Sequence, residues 1–145
     1  MNKGVSLGIV LVRLALGIIF IAHGYVKLFI YGIGGVVHSF ASMGMPVPAV
    51  AGTIVTLLEF FGGITILLGL LTRWVSILFV IEFIVAILKV HLQNGFFIGT
   101  GTDGKFHYGF EFAFLILFTS LALSIMKAGD YSLDHILFEK GKKSE

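Results

Sequence analysis

A chain of 145 residues is one domain by default, and its 57% hydrophobic and 12% charged residues set it apart from soluble domains, which carry about 25% charged residues. Its mean hydropathy of +1.03 places it among polytopic membrane proteins. A net charge of +2, with no basic patch interleaved with aromatics, argues against nucleic acid, and the lack of cysteine excludes disulfides, thiolate nucleophiles and Cys-ligated metals.

The first apolar segment, residues 5–26, follows a single basic residue, Lys3. It is longer than the roughly 7–15 residues of a signal-peptide core and lacks a small-x-small cleavage site, so it predicts a retained span. A helix needs about 20 apolar residues to cross a bilayer, and three further segments qualify: 49–71, 74–91 and 108–126. Between the first two lies a connection, 29–47, without Lys or Arg. Its stretch "GGVVHSFASMG" (34–44) is apolar enough to lie on the interface or dip back among the helices. The prolines of "GMPVPAV" (44–50) forbid a continuous helix and then start a new one. "LLTR" (70–73) is so short a turn that spans two and three must be antiparallel neighbours. "QNGFFIGTGTDGKFH" (93–107) reads as a polar, Gly-rich loop, and the tail 128–145 as polar and partly helical.

The expected fold is therefore all-α: one domain, 1–145, forming an integral membrane four-helix bundle with no internal repeat. Basic residues orient it. One side holds Lys3, Arg73, Lys127, Lys140, Lys142 and Lys143; the other holds Lys105, with Lys27 and Lys89 at span ends. Both termini are expected in the cytoplasm, in a bacterial or archaeal cytoplasmic membrane crossed several times.

Ionisable residues inside the spans carry the functional signal. At about 1.5 Å per residue, Arg13, Glu59 and Glu82 sit about 12–17 Å from the cytoplasmic end, and each charge costs about 2.5–3.5 kcal/mol at a helix centre. Mutual neutralisation is the economical solution, so an ion-pair core of Arg13 with Glu59 or Glu82 is expected. His23, Lys27, Lys89, His91 and Glu111 lie near the outer surface, with His107 close by. At about 100° per residue, Arg13, Gly17, Phe20, His23, Gly24 and Lys27 share one face of span one. Two readings stay open. The charges pin helix register, or they line an outward-facing polar pocket that binds a head group or relays protons. No H-x-x-x-H or E-x-x-H spacing supports a metal site. Fifteen phenylalanines suit lipid contact, or an aromatic cleft for a planar ligand in which Phe96, Phe97 and Phe110 would flank the ring. "GIGG" (32–35) and "GTGTDG" (99–104) lack the strand-before, helix-after setting of a phosphate loop.

The pieces "RLALGIIFIAHGYVKL" (13–28), "GMPVP" (44–48), "LEFFGGITILLGLLTR" (58–73), "HLQNGFF" (91–97), "YGFEFAFL" (108–115) and "AGDYSLD" (128–134) together span nearly the whole chain. In order and spacing they resemble the DoxX family of small four-span membrane proteins. The resemblance implies a four-helix membrane bundle, often described as an oxidoreductase. Relatives are linked to thiosulfate:quinone oxidoreduction, to quinone or catechol resistance, or to membrane assemblies handling thiol and oxidative stress; distant eukaryotic relatives act as chaperones or cargo receptors. The recurrent polar positions map here to Arg13, His23, Gly24, Lys27, Glu59, Gly62, Gly63, Arg73, His91 and Glu111. The chain departs from a self-sufficient redox enzyme in having no cysteine and no cofactor motif.

The function expected is binding of a quinone-like ligand, with no covalent cofactor. His23 or Lys27 would hydrogen-bond or protonate a quinone oxygen, Glu111 would exchange the proton, and His91 with Phe96, Phe97 and Phe110 would hold the ring. The alternative is a non-catalytic accessory subunit or chaperone, docking a redox or other membrane-protein partner or a second copy of itself. Proton-coupled transport is disfavoured by the lack of repeats and broken spans.

Overall fold

The computed structural model describes residues 2–101 and 104–139. Lys140, Lys142 and Lys143, which contributed to the expected orientation, lie outside the described residues, as does the end of the tail. Helix α1 (Lys3–Tyr25) starts where the Asn2 side chain accepts the Gly4 N–H. It runs on through a π-helical stretch, Val26–Tyr31, to Gly32, whose φ of +67° turns the chain into α2 (Gly32–Ser42). The connection expected to be interfacial or re-entrant is thus largely helical, and its buried Val36 packs against Gly52 of α3.

Pro48 opens α3 (Pro48–Leu57), which passes through a second π stretch, Leu58–Gly62, into α4 (Gly63–Leu68). Gly69, at φ +72°, ends that helix: the Leu70 N–H reaches back to the Thr65 carbonyl at 2.8 Å. Helix α5 (Thr72–Ala86) follows at once and ends in a third π stretch, Ile87–His91, and a short 3-10 turn, Leu92–Asn94.

The loop expected over 93–107 corrects an expectation. It contains an antiparallel hairpin, β1 (Ile98–Thr100) with β2 (Phe106–Tyr108), so the fold is not purely helical. Helix α6 (Glu111–Met126) therefore begins three residues later than the expected span, because Tyr108 pairs with Ile98 and Gly109 is wedged against the Phe96 and Phe97 carbonyls. Its 16 residues cover about 24 Å. Three helical stretches, Lys3–Ser42, Pro48–Leu68 and Thr72–Asn94, are long and apolar enough to cross a membrane; α6 is a shorter apolar helix.

One core joins the helices. Ile9, Leu16 and Phe20 of α1, Ile66 of α4, Phe79 of α5 and Ile116 and Leu123 of α6 are buried together. The Phe20 and Phe79 rings stack at 3.5 Å between centroids. Large apolar side chains such as Leu11, Ile18, Ile54 and Leu115 point outward, which suits hydrocarbon and not water.

Helix α1 meets the second helical stretch backbone to backbone. A Cβ on Gly24 would lie 2.3 Å from the Phe60 nitrogen, and one on Gly63 would lie 2.8 Å from the Ile21 nitrogen. Small residues permit such approach. Gly24→Ala gains about 1 kcal/mol of helix propensity, but it must push a rigid backbone away. We expect a net loss of about 2 kcal/mol, read as a lower melting point in detergent. A variant that melts with the wild type would show that this interface yields.

Candidate functional site

The helices carry two polar centres, at opposite ends. The first surrounds Arg13, which is buried. It meets neither Glu59 nor Glu82. Its Nε donates to the Ile66 carbonyl at 3.0 Å and Nη2 to Leu67 at 2.9 Å; Nη1 donates to Ala128 at 2.9 Å and Tyr131 at 2.7 Å. The expected Arg13–glutamate pair is thus corrected. The last turn of α4 supplies two carbonyls and the segment after α6 folds back to present two more, so four of the five guanidinium N–H groups find backbone acceptors, with Asp134 the carboxylate that acts on it.

Neighbouring bonds tie the same end together. Asp134 accepts the Leu71 and Thr72 N–H groups at 2.7 and 3.0 Å, capping α5, while its own N–H donates to the Gly69 carbonyl. Ser6 donates to Asp130 at 2.5 Å, which holds that carboxyl below the usual carboxylate range. A Cβ on Gly69 would strike Arg13 Cζ, so this glycine serves both the turn and the guanidinium.

The second centre holds Lys27, Glu59 and Glu82. Lys27 Nζ lies 2.6 Å from Glu59 Oε2. Glu82 of α5 adjoins Glu59 and is within coulombic reach of Lys27. Glu82 Oε2 is buried and accepts no hydrogen bond from the described residues. Both members of the ion pair stand in π-helical stretches. Such stretches widen the turn and frequently mark functional sites. Beside Lys27 opens a pocket of about 350 Å³ lined by Ala22, His23, Val26, Lys27 and Tyr31. The exposed His23 ring lies 6.4 Å from that of Phe112, parallel to within 27°.

The other expected site residues gather around the hairpin and the start of α6. Glu111 accepts the Ile98 N–H at 2.9 Å, and its own N–H donates to the Phe96 carbonyl at 2.9 Å. It clamps the hairpin to the start of α6, where a carboxylate also complements the helix dipole. Of the expected Glu111, His23 and Lys27 group, Lys27 pairs with Glu59, and His23 lies beside Phe112, the neighbour of Glu111. His91 Nδ1 lies 3.1 Å from the Tyr108 carbonyl. Phe96 and Phe110 pack edge to face on each other at 5.1 Å, and Phe97 is 76% exposed.

A helical membrane chain with this pair of polar centres can be compared with known proteins. Residues 8–92 match the DoxX family model. The chain belongs to the DoxX family. It is 35% identical over 144 residues, covering 99% of this chain and 96% of the relative, to the "Putative oxidoreductase CatD" of Bacillus subtilis (strain 168). It is 36% identical over 72 residues, half of each chain, to the "Inner membrane protein YphA" of Escherichia coli (strain K12). No solved structure matches it. Together with the three long apolar helices, these relatives point to a bacterial membrane protein in a lipid bilayer. The family match covers Arg13, Lys27, Glu59 and Glu82 and stops before the hairpin and Glu111.

Proposed function

We propose that this DoxX-family protein is the membrane component of a quinone-linked redox system and binds a quinone-type head group beside Lys27. One observation carries the reading: a Lys27–Glu59–Glu82 cluster with an unsatisfied buried carboxyl oxygen stands next to a pocket bordered by His23 and Tyr31. Buried polar atoms are almost always hydrogen-bonded. A quinone seated there would accept from Lys27, His23 and Tyr31, and the quinol hydroxyl formed from it would be a donor for the carboxyl oxygen. The name of the Bacillus subtilis relative, an oxidoreductase, is in keeping with this chemistry.

Quinone reduction to quinol takes two electrons and two protons. The chain has no cysteine, and the electrons are assigned to a separate redox partner. The protons are assigned to this cluster. Two carboxyl groups beside one ammonium are electrically neutral when they hold one proton between them; lending it leaves one net negative charge, so the cluster passes protons one at a time and is reprotonated from water between them.

Calorimetric titration of the purified chain with a short-chain ubiquinone or menaquinone tests the reading. His23 is exposed, so His23→Ala should leave the fold intact and weaken binding about three- to tenfold, the worth of one hydrogen bond. No binding by the wild type, or equal affinity in His23→Ala and Tyr31→Ala, would reject it. Stable capture of one membrane protein without quinone affinity would favour the accessory-subunit reading instead.

A further inference from the structure

The Arg13 end of the molecule has a cavity of its own, which the quinone reading does not use. About 450 Å³ in volume, it lies between the α4–α5 turn and the segment after α6. Arg73 and Lys127 line it, and among the described residues neither is in an ion pair. The other titratable groups facing it are engaged within the protein. Asp134 caps α5 with both oxygens, Asp130 takes the Ser6 hydroxyl, and His135, also engaged, begins the last helical turn. The two carboxylates keep their charge, but Arg73 and Lys127 are left without an ion-pair partner among the described residues and can turn to an external anion.

The rim says where that anion sits. Trp74 is 66% exposed, and Met126 and Phe138 beside it are exposed as well. Exposed Trp next to basic residues is the signature of the membrane–water interface. Lys127 adds a further sign. Its φ of +61° and ψ of −158° fall in a region that essentially only glycine occupies without strain. A residue with a long cationic side chain stands where glycine would relax the backbone.

We propose that this cavity binds the phosphate of an anionic phospholipid head group, with Arg73 as the bidentate donor and Lys127 as the point charge. The glycerol and upper acyl chain would lie along Trp74 and Phe138. The same chemistry would accept free inorganic phosphate, so the test separates the two.

Trp74 is the single tryptophan of the chain and lines the cavity, so its fluorescence reports occupancy. In vesicles of brominated lipid, phosphatidylglycerol should quench Trp74 with at least about threefold higher relative affinity than phosphatidylcholine, and rising salt should erode the preference. The double variant Arg73→Gln/Lys127→Gly should lose the preference. Lys127→Gly alone should lose much of it while melting no lower than the wild type, because glycine relieves the strained backbone. If millimolar inorganic phosphate abolishes the preference, the phosphate site stands but free phosphate competes for it. If phosphate leaves the preference intact, the site is specific for lipid. Equal quenching by both lipids in the wild type, or a preference that survives in the double variant, would overturn the proposal.

Discussion

Arg13→Met is expected to be the most damaging single substitution in the chain. The thioether fills part of the guanidinium's volume but donates nothing. The carbonyls of Leu67, Ala128 and Tyr131 lose the Arg13 donor, and that of Ile66 keeps only the Gly69 N–H. An unsatisfied buried polar group costs about 1–3 kcal/mol. With relaxation of the loop, a net loss of about 4–6 kcal/mol follows, comparable to the whole stability of a small domain. Arg13→Lys should recover less than half, because one ammonium cannot span donors arranged as a fork. Thermal unfolding in detergent measures the loss. Limited proteolysis locates it: the segment 127–132 should become the first site of cleavage, since Arg13 supplies two of its tethers to the helices. A variant that melts within about 1 kcal/mol of the wild type and keeps this segment protected would mean that the guanidinium merely occupies the space.

How much of this could be read from the residues divides along physical lines. Hydropathy exposed the spans because lipid imposes a minimum apolar length. It also singled out Arg13, Glu59, Glu82 and Lys27, because an ionisable side chain in such a run is costly and therefore conspicuous. Partner assignment was not legible. Counting at a fixed angle per residue assumes α-helical geometry, yet three helical stretches contain π turns. Each π turn resets the face that follows, and both Lys27 and Glu59 stand in such turns. Arg13 was misassigned for another reason: its partners are carbonyls, and backbone acceptors leave no mark in composition. The available signals were Gly69 and Gly129, both at positive φ beside the carbonyls that bind it. The hairpin was missed because "IGT" and "FHY" are too short for a strand pattern to emerge from a Gly-rich loop.

The Lys27–Glu59 pair offers the second large effect, and it separates folding from function. Lys27→Ala leaves Glu59 and Glu82 facing each other without a cation. Breaking a buried pair from one side costs about 3–5 kcal/mol, because a charge stays behind uncompensated. Glu59→Gln should cost less, since Glu82 remains within coulombic reach of Lys27. Removing both charges at once inverts the outcome. Lys27→Met/Glu59→Met replaces two desolvated ions by side chains of similar length, and such exchanges are often neutral or stabilising by about 1–4 kcal/mol. Glu82 is then left without its cation, so the double variant should melt above Lys27→Ala and near the wild type, with a coupling energy of at least about 2 kcal/mol in the mutant cycle. If the pair exists only to hold α1 against the second helical stretch, the double variant should also keep any quinone affinity the wild type shows. If it serves the ligand, the protein will be well folded and will no longer bind. A double variant as unstable as Lys27→Ala would show that Lys27 and Glu59 are not partners, and would return both residues to separate roles.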